Sequence, residues 1–172
     1  LRRSSAASDV YKRQNKNSQI LDIGCGRGKI LGSLSSKLSL KRKSIGIDIE
    51  NHKDRDKRII FKKIDALKFL KKNKKRFDLI LVKQTIHLFK IKDIKTILKL
   101  SKKLLNPNGK IIIFTLDPID NEIPTFSIMK KKLKKALIRD KKIIKSISYS
   151  FKGKIVRGFS YKVKISKKKY ME

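Results

Sequence analysis

Residues 20–30 read Ile-Leu-Asp-Ile-Gly-Cys-Gly-Arg-Gly-Lys-Ile, and their spacing is that of a phosphate- or nucleotide-cradling turn. A short apolar run ends in Asp22, glycines alternate at Gly24, Gly26 and Gly28, and a helical pattern starts at once. Glycine has no Cβ, so the backbone can take positive φ and a ligand can lie directly against it. Helix N-terminal amides then face whatever fills the turn. A dinucleotide fingerprint wants G-x-G-x-x-G, with the third glycine permitting close packing of helix on strand. Here Lys29 takes that third place, which points away from a dinucleotide.

The Asp22-x-Gly24-x-Gly26-x-Gly28 arrangement resembles the first motif of class I S-adenosylmethionine-dependent methyltransferases. Further blocks follow in that family's order over Ser18 to Leu116. The resemblance implies that Asp22 faces the ligand's ammonium and that Gly24, Cys25, Gly26 and Gly28 wrap its chain. It implies that Asp48, with Ile49 beside it, receives the ribose; a carboxylate suits two hydroxyls because each oxygen can accept from one. Asp65-Ala66 falls where the family meets the adenine, although Asp65 also reads as a helix N-cap. Phe77-Asp78-Leu79-Ile80-Leu81-Val82 and Leu105 to Ile113 resemble the family's fourth- and fifth-strand blocks. Lys83, Gln84 and Thr85 leave the fourth strand where methyl donor and acceptor meet. His87 is the general-base candidate for a hydroxyl or acid acceptor, with the packed start of a helix as the competing reading. Positioning alone supplies much of the rate in such a transfer, so a dedicated base is not required.

These residues need a scaffold, and from Ser18 onward strand-like and helix-like segments alternate, as in βαβ units around a mostly parallel sheet. Strands are predicted at Gln19–Ile23, Ser44–Glu50, Arg58–Lys62, Phe77–Val82 and Lys110–Leu116. Helices are predicted at Arg27–Ser39, from Asp65 to about Lys72, at Ile91–Leu104 and at about Thr125–Arg139. The polar segment Asn51–Lys57 leaves room for a short helix only. Asn106-Pro107-Asn108-Gly109 reads as a tight turn ending the helix before it. Ile143, Ile144, Ile147 and Phe151 form a helical stripe, and Lys154–Ile165 alternates as a sixth strand. The expected fold is α/β, a Rossmann-like sheet flanked by helices. By resemblance its order is 3-2-1-4-5-7-6, with the last antiparallel strand missing.

Ser4 to Gln14 match the translation of a transposase adapter used to build sequencing libraries, so residues 1–14 are set aside from fold reasoning. Residues 15–172 are expected to be a single methyltransferase domain, incomplete at both ends. The lone cysteine, Cys25, cannot form an internal disulfide, which suits a reducing cytoplasm. No run approaches the ~20 apolar residues of a transmembrane helix.

The formal net charge is +34, and lysine supplies 38 of the 48 cations. They are spread along every predicted element, with few aromatics among them, so AT-rich codon usage accounts for them better than a selected polyanion partner. The sequence lacks the Asn-Pro-Pro-Tyr of amino-group methylation after strand four and the Pro-Cys of pyrimidine C5 methylation. Neither absence names the acceptor, but Val82 to Phe89 and the tail around Tyr161 to Met171 resemble those of generic small-substrate members of the family, which implies a small-molecule acceptor. An RNA or ribosome methyltransferase would instead gather its lysines around the cleft, and a dehydrogenase or non-catalytic nucleotide-binding module would not select S-adenosylmethionine.

Overall fold

The computed structural model describes residues 16–114 and, beyond them, residues 134, 135, 138, 139, 141–143, 145, 147 and 148. Within it, β1 (Ile20–Ile23) is buried along its whole length, as its unbroken apolar run with one acid requires. The chain continues through α1 (Lys29–Lys37), β2 (Ile45–Asp48), β3 (Ile60–Lys63), α2 (Ala66–Lys72), β4 (Phe77–Lys83), α3 (Ile91–Lys103) and β5 (Leu105–Phe114).

All five strands are parallel and lie in the order β3-β2-β1-β4-β5. Winding reverses at β1, which pairs with β2 on one side and β4 on the other. In such a sheet the crevice forms beyond the C-terminal strand ends at that reversal. The glycine run of residues 24–28 sits there because it leaves β1 directly.

Alternation along the strands loads both faces. Leu21, Ile23, Ile80 and Val82 point toward α2 and α3, where Phe69, Leu70, Ile94, Ile97 and Leu98 complete the larger core. Ile20, Leu79 and Leu81 point the other way, onto Leu31 of α1 and Ile59. Ser35 in α1 donates back to the Leu31 carbonyl at 2.8 Å and shares a buried hydroxyl pair with Ser44 at 2.7 Å, fixing the helix to the start of β2. Ile147 of the C-terminal helical residues is buried in the larger core, in keeping with the stripe read around Ile143.

Two local expectations change. Residues 51–57 form turns, not a short helix, because the segment is latched by its polar groups: Asp56 N–H donates to the Arg27 carbonyl at 2.9 Å, and Arg27 pairs with Asp54 at 2.8 Å. Asn106–Gly109 makes its turn inside β5, not before it. Phe77 pairs with Leu105 and Leu79 with Lys110, so the intervening residues are looped out of register. The loop is held by Asn106, whose amide donates to Asp78 at 2.8 Å, while the other Asp78 oxygen accepts from Gln19 N–H at 2.7 Å. Most of the predicted Thr125–Arg139 helix, residues 125–133, 136 and 137, and the predicted sixth strand, Lys154–Ile165, lie outside the described residues.

Candidate functional site

Three glycines with positive φ shape the loop after β1, and they do so for different reasons. Gly24 (φ 74°) and Gly28 (φ 70°) are sterically closed: a Cβ on the first would run into the Thr85 side chain and on the second into Ile59. Gly26 (φ 53°) has nothing within 4 Å of where its Cβ would be. The outer glycines are needed for packing, and the middle one leaves space for something else. The loop is fastened to β2 by the Ile47 carbonyl, which accepts from both Gly24 N–H (2.8 Å) and Cys25 N–H (3.0 Å). Helix α1 then starts at Gly28 with no side-chain cap, so its first amides stay open toward the crevice.

Asp48 ends β2 against this open space. Its Oδ2 accepts from Gly26 N–H at 2.7 Å and its Oδ1 from Glu50 N–H at 2.9 Å. Two backbone amides thus fix the carboxylate, and each oxygen keeps a lone pair for an incoming hydroxyl. Ile49, next in sequence, is 62% exposed, an apolar surface beside the carboxylate. The Asp48 carbonyl accepts from Ile64 N–H at 2.9 Å, which places the start of α2 alongside. There Asp65 caps the helix, accepting from Lys68 N–H at 3.0 Å, and Ala66 is buried.

Asp22 occupies the centre. It lies between Gly46 and Leu81 in register, only 5% exposed, and its Oδ1 has no hydrogen-bond partner. Burial pushes its carboxyl up to about 7; Lys83 opposes this shift and Asp48 adds to it. Lys83, half-buried at the end of β4, donates to Gln84 Oε1 at 3.2 Å. Asp22 and Lys83 line an open cavity of about 220 Å³ with Ile30, Leu34, Leu81 and Phe114. Burial and the fields of Asp22 and Asp48 push the Cys25 thiol up to about 12, so it is no nucleophile at neutral pH.

The structure therefore brings together Asp22, Gly24, Cys25, Gly26, Gly28, Asp48 and Ile49, with Asp65 and Ala66 next to β2 and Lys83 behind Asp22. His87 falls in a single 3₁₀ turn, Ile86–Leu88; its side chain lies outside the described residues. Thr85 has a role that spacing alone does not show. Buried, its hydroxyl is shared between the Lys83 carbonyl (2.8 Å) and the Gly24 carbonyl (3.3 Å), joining the end of β4 to the glycine loop. The only sequence signal for it is a small polar residue just past a buried strand. Among the described residues no group of His, Cys, Asp and Glu could hold a metal ion, and no helix is long and apolar enough to cross a membrane.

Solved structures share this architecture. A SAM-dependent methyltransferase from Archaeoglobus fulgidus is 26% identical, with a TM-score of 0.52, over 61% of this chain and 46% of its own. An O-methyltransferase family protein from Burkholderia thailandensis is 17% identical, with a TM-score of 0.50, over 67% of this chain and 36% of its own. PKMT2 from Rickettsia typhi, solved in complex with AdoHcy, is 25% identical, with a TM-score of 0.49, over 57% of this chain and 21% of its own. The chain thus spans less than half the length of each. No curated protein matches. The methyltransferase-domain profile matches residues 14–171, nearly the whole chain, and the chain belongs to that family.

Proposed function

We propose that this chain transfers a methyl group from S-adenosyl-L-methionine to a small-molecule acceptor. One observation carries the donor half of the reading: the open face at Gly26 lies beside a carboxylate that the Gly26 amide itself holds in place. A ribose hydroxyl pair fits the lone pairs left on Asp48. Ile49 offers an apolar face to an adenine, with Asp65 and Ala66 at its edge. The unpartnered oxygen of buried Asp22 fits a cationic ammonium, and Gly24, Cys25, Gly26 and Gly28 give the linking chain a path.

When bound, this donor supplies a methyl group on a positively charged sulfur, open to in-line attack. The protein's share is positioning. Thr85 holds the end of β4 against the loop, and His87 stands as the base candidate for an acceptor whose proton must leave. Asp48, Glu50 and Asp65 lie at or just past the ends of β2 and β3, alongside Lys63 and Lys83 at the ends of β3 and β4. Acids and cations are interspersed at this opening, which is not the acid-free basic surface a polyanion acceptor favours, and this supports a small acceptor.

The test is calorimetry on the protein. S-adenosylhomocysteine is expected to bind and NAD is not, and Asp48→Ala is expected to abolish the binding. Binding of NAD alone, or an Asp48→Ala variant with unchanged affinity, would overturn the donor assignment. Methyl release tested on small acceptors and on RNA decides the acceptor half.

A further inference from the structure

Along the sequence the cations look evenly spread, but the fold sorts the acids among them. In a parallel sheet every strand starts at one edge, and every helix leading into a strand ends there too. At that edge the α1–β2 loop carries Lys41-Arg42-Lys43, the α2–β4 connection carries Lys71-Lys72-Asn73-Lys74-Lys75-Arg76, and α3 ends in Lys102-Lys103. Every one of these cations is exposed. The connections are neighbours: Lys41 N–H donates to the Lys16 carbonyl ahead of β1 at 2.8 Å, Phe77 N–H to the Leu104 carbonyl at 2.8 Å, and the Arg76 guanidinium to the Leu105 carbonyl at 3.0 Å. These three connections contain no acid. Asp78, close by, has one oxygen taken by Gln19 N–H and the other by the Asn106 amide. The opposite edge also carries cations, among them Lys53, Lys63, Lys90 and Lys92, but there they are interspersed with Asp48, Glu50, Asp54, Asp65 and Asp93, and Arg27 and Lys29 are drawn to Asp54.

Codon usage raises the lysine count everywhere, but it has no means of keeping acids out of the connections at one end of the sheet. Helix C-termini favour cations in their last turn, which covers Lys71, Lys72, Lys102 and Lys103 but not the loop residues 41–43 and 74–76. We propose that the strand-start edge is a docking surface for double-helical RNA, separate from the methyl-donor crevice. The three connections contain no aromatic side chain, so they offer single strands nothing to stack on. They expose no large apolar side chain to enter a membrane. No helix or ribbon projects from them to read a DNA groove. What remains is a lysine-rich ridge suited to phosphates, and A-form RNA presents those of both strands across a narrow major groove.

The test is fluorescence anisotropy of a labelled RNA duplex of about 16 base pairs against the full chain, repeated over a range of salt concentrations. Lys41→Glu/Arg42→Glu/Lys43→Glu is expected to weaken binding about tenfold or more and to lower the salt slope by about two to three. Lys71→Gln/Lys72→Gln/Lys74→Gln/Lys75→Gln, which keeps good helix formers, is expected to weaken it likewise and serves if the first variant does not fold by circular dichroism. Lys53→Glu/Lys63→Glu/Lys92→Glu, at the opposite edge, is expected to have a much smaller effect. An equal loss from the opposite-edge variant would show binding by net charge alone and overturn the proposal. So would equal affinity for a DNA duplex of the same sequence, binding to anionic vesicles without binding to RNA, or no RNA binding at all. RNA binding is read with no methyl donor present, so its outcome is independent of the crevice assignment.

Discussion

Burial holds the Asp22 carboxyl at about 7 against 3.8 in the unfolded chain, and that gap is a stability term. Below pH 3.8 both states keep the proton. As the pH rises from there toward 7, the unfolded state releases it first, so stability falls, by an amount of the order of 4 kcal/mol, and then levels off. Asp22→Asn is expected to flatten this fall in thermal melts between pH 4 and pH 7; an unchanged slope would refute the assignment. A cationic ammonium beside Asp22 would favour the carboxylate. Donor binding near pH 6.5 should therefore release a proton, seen as a calorimetric enthalpy that varies with the buffer's ionisation enthalpy and ceases to do so in Asp22→Asn. The glycines separate in the same way. Gly24→Ala pushes a Cβ into Thr85 at φ 74° and should cost roughly 2–4 kcal/mol. Gly26→Ala meets no neighbour, so it should cost only about 1 kcal/mol for the left-handed backbone, yet lose affinity for S-adenosylhomocysteine.

Helices α1 and α2 begin in opposite ways, and the difference matches their duties. Helix α1 starts at Gly28 with no side-chain cap, whereas α2 starts at Asp65, whose side chain satisfies Lys68 N–H. Asp65→Ala should cost about 1 kcal/mol of stability. Asp65→Ser should restore the cap but, lacking the carboxylate, not the proposed adenine contact, so stability and affinity part company if both roles are real. Strand β4 carries the heaviest packing load: Leu79, Ile80 and Val82 are fully buried between the two helical layers. Ile80→Ala should cost roughly 2–5 kcal/mol, measured by denaturant unfolding.

For the molecule as a whole, one sheet separates two chemistries. The strand ends hold most of the acids among the described residues and a space beside Gly26; the strand starts carry exposed cations with few acids among them. Because all five strands run parallel, the connections at the two edges never mix, so each edge can be altered without the other. Charge changes in residues 41–43 and 71–75 should leave the crevice intact, and changes at Asp22, Gly26 or Asp48 should leave RNA binding intact.

The sequence by itself determined the strand–turn–helix around Asp22 to Gly28, the alternation of strands and helices through β5, and the acids at 48 and 65. Those are local signals, carried by hydrophobic period, glycine spacing and strand-end position. Only the tertiary structure decided that Gly24 and Gly28 serve packing while Gly26 leaves room, since Thr85 and Ile59 come from distant parts of the chain. It turned residues 51–57 from a short helix into a latched turn, through a salt bridge spanning 27 residues. It also made Asp22 a proton-binding group, because burial beneath α1 and beside β4 is not a property of any segment alone. The charge pattern shows the limit most plainly: which lysines lie among acids and which do not is settled only when parallel strands bring the helix ends to one side.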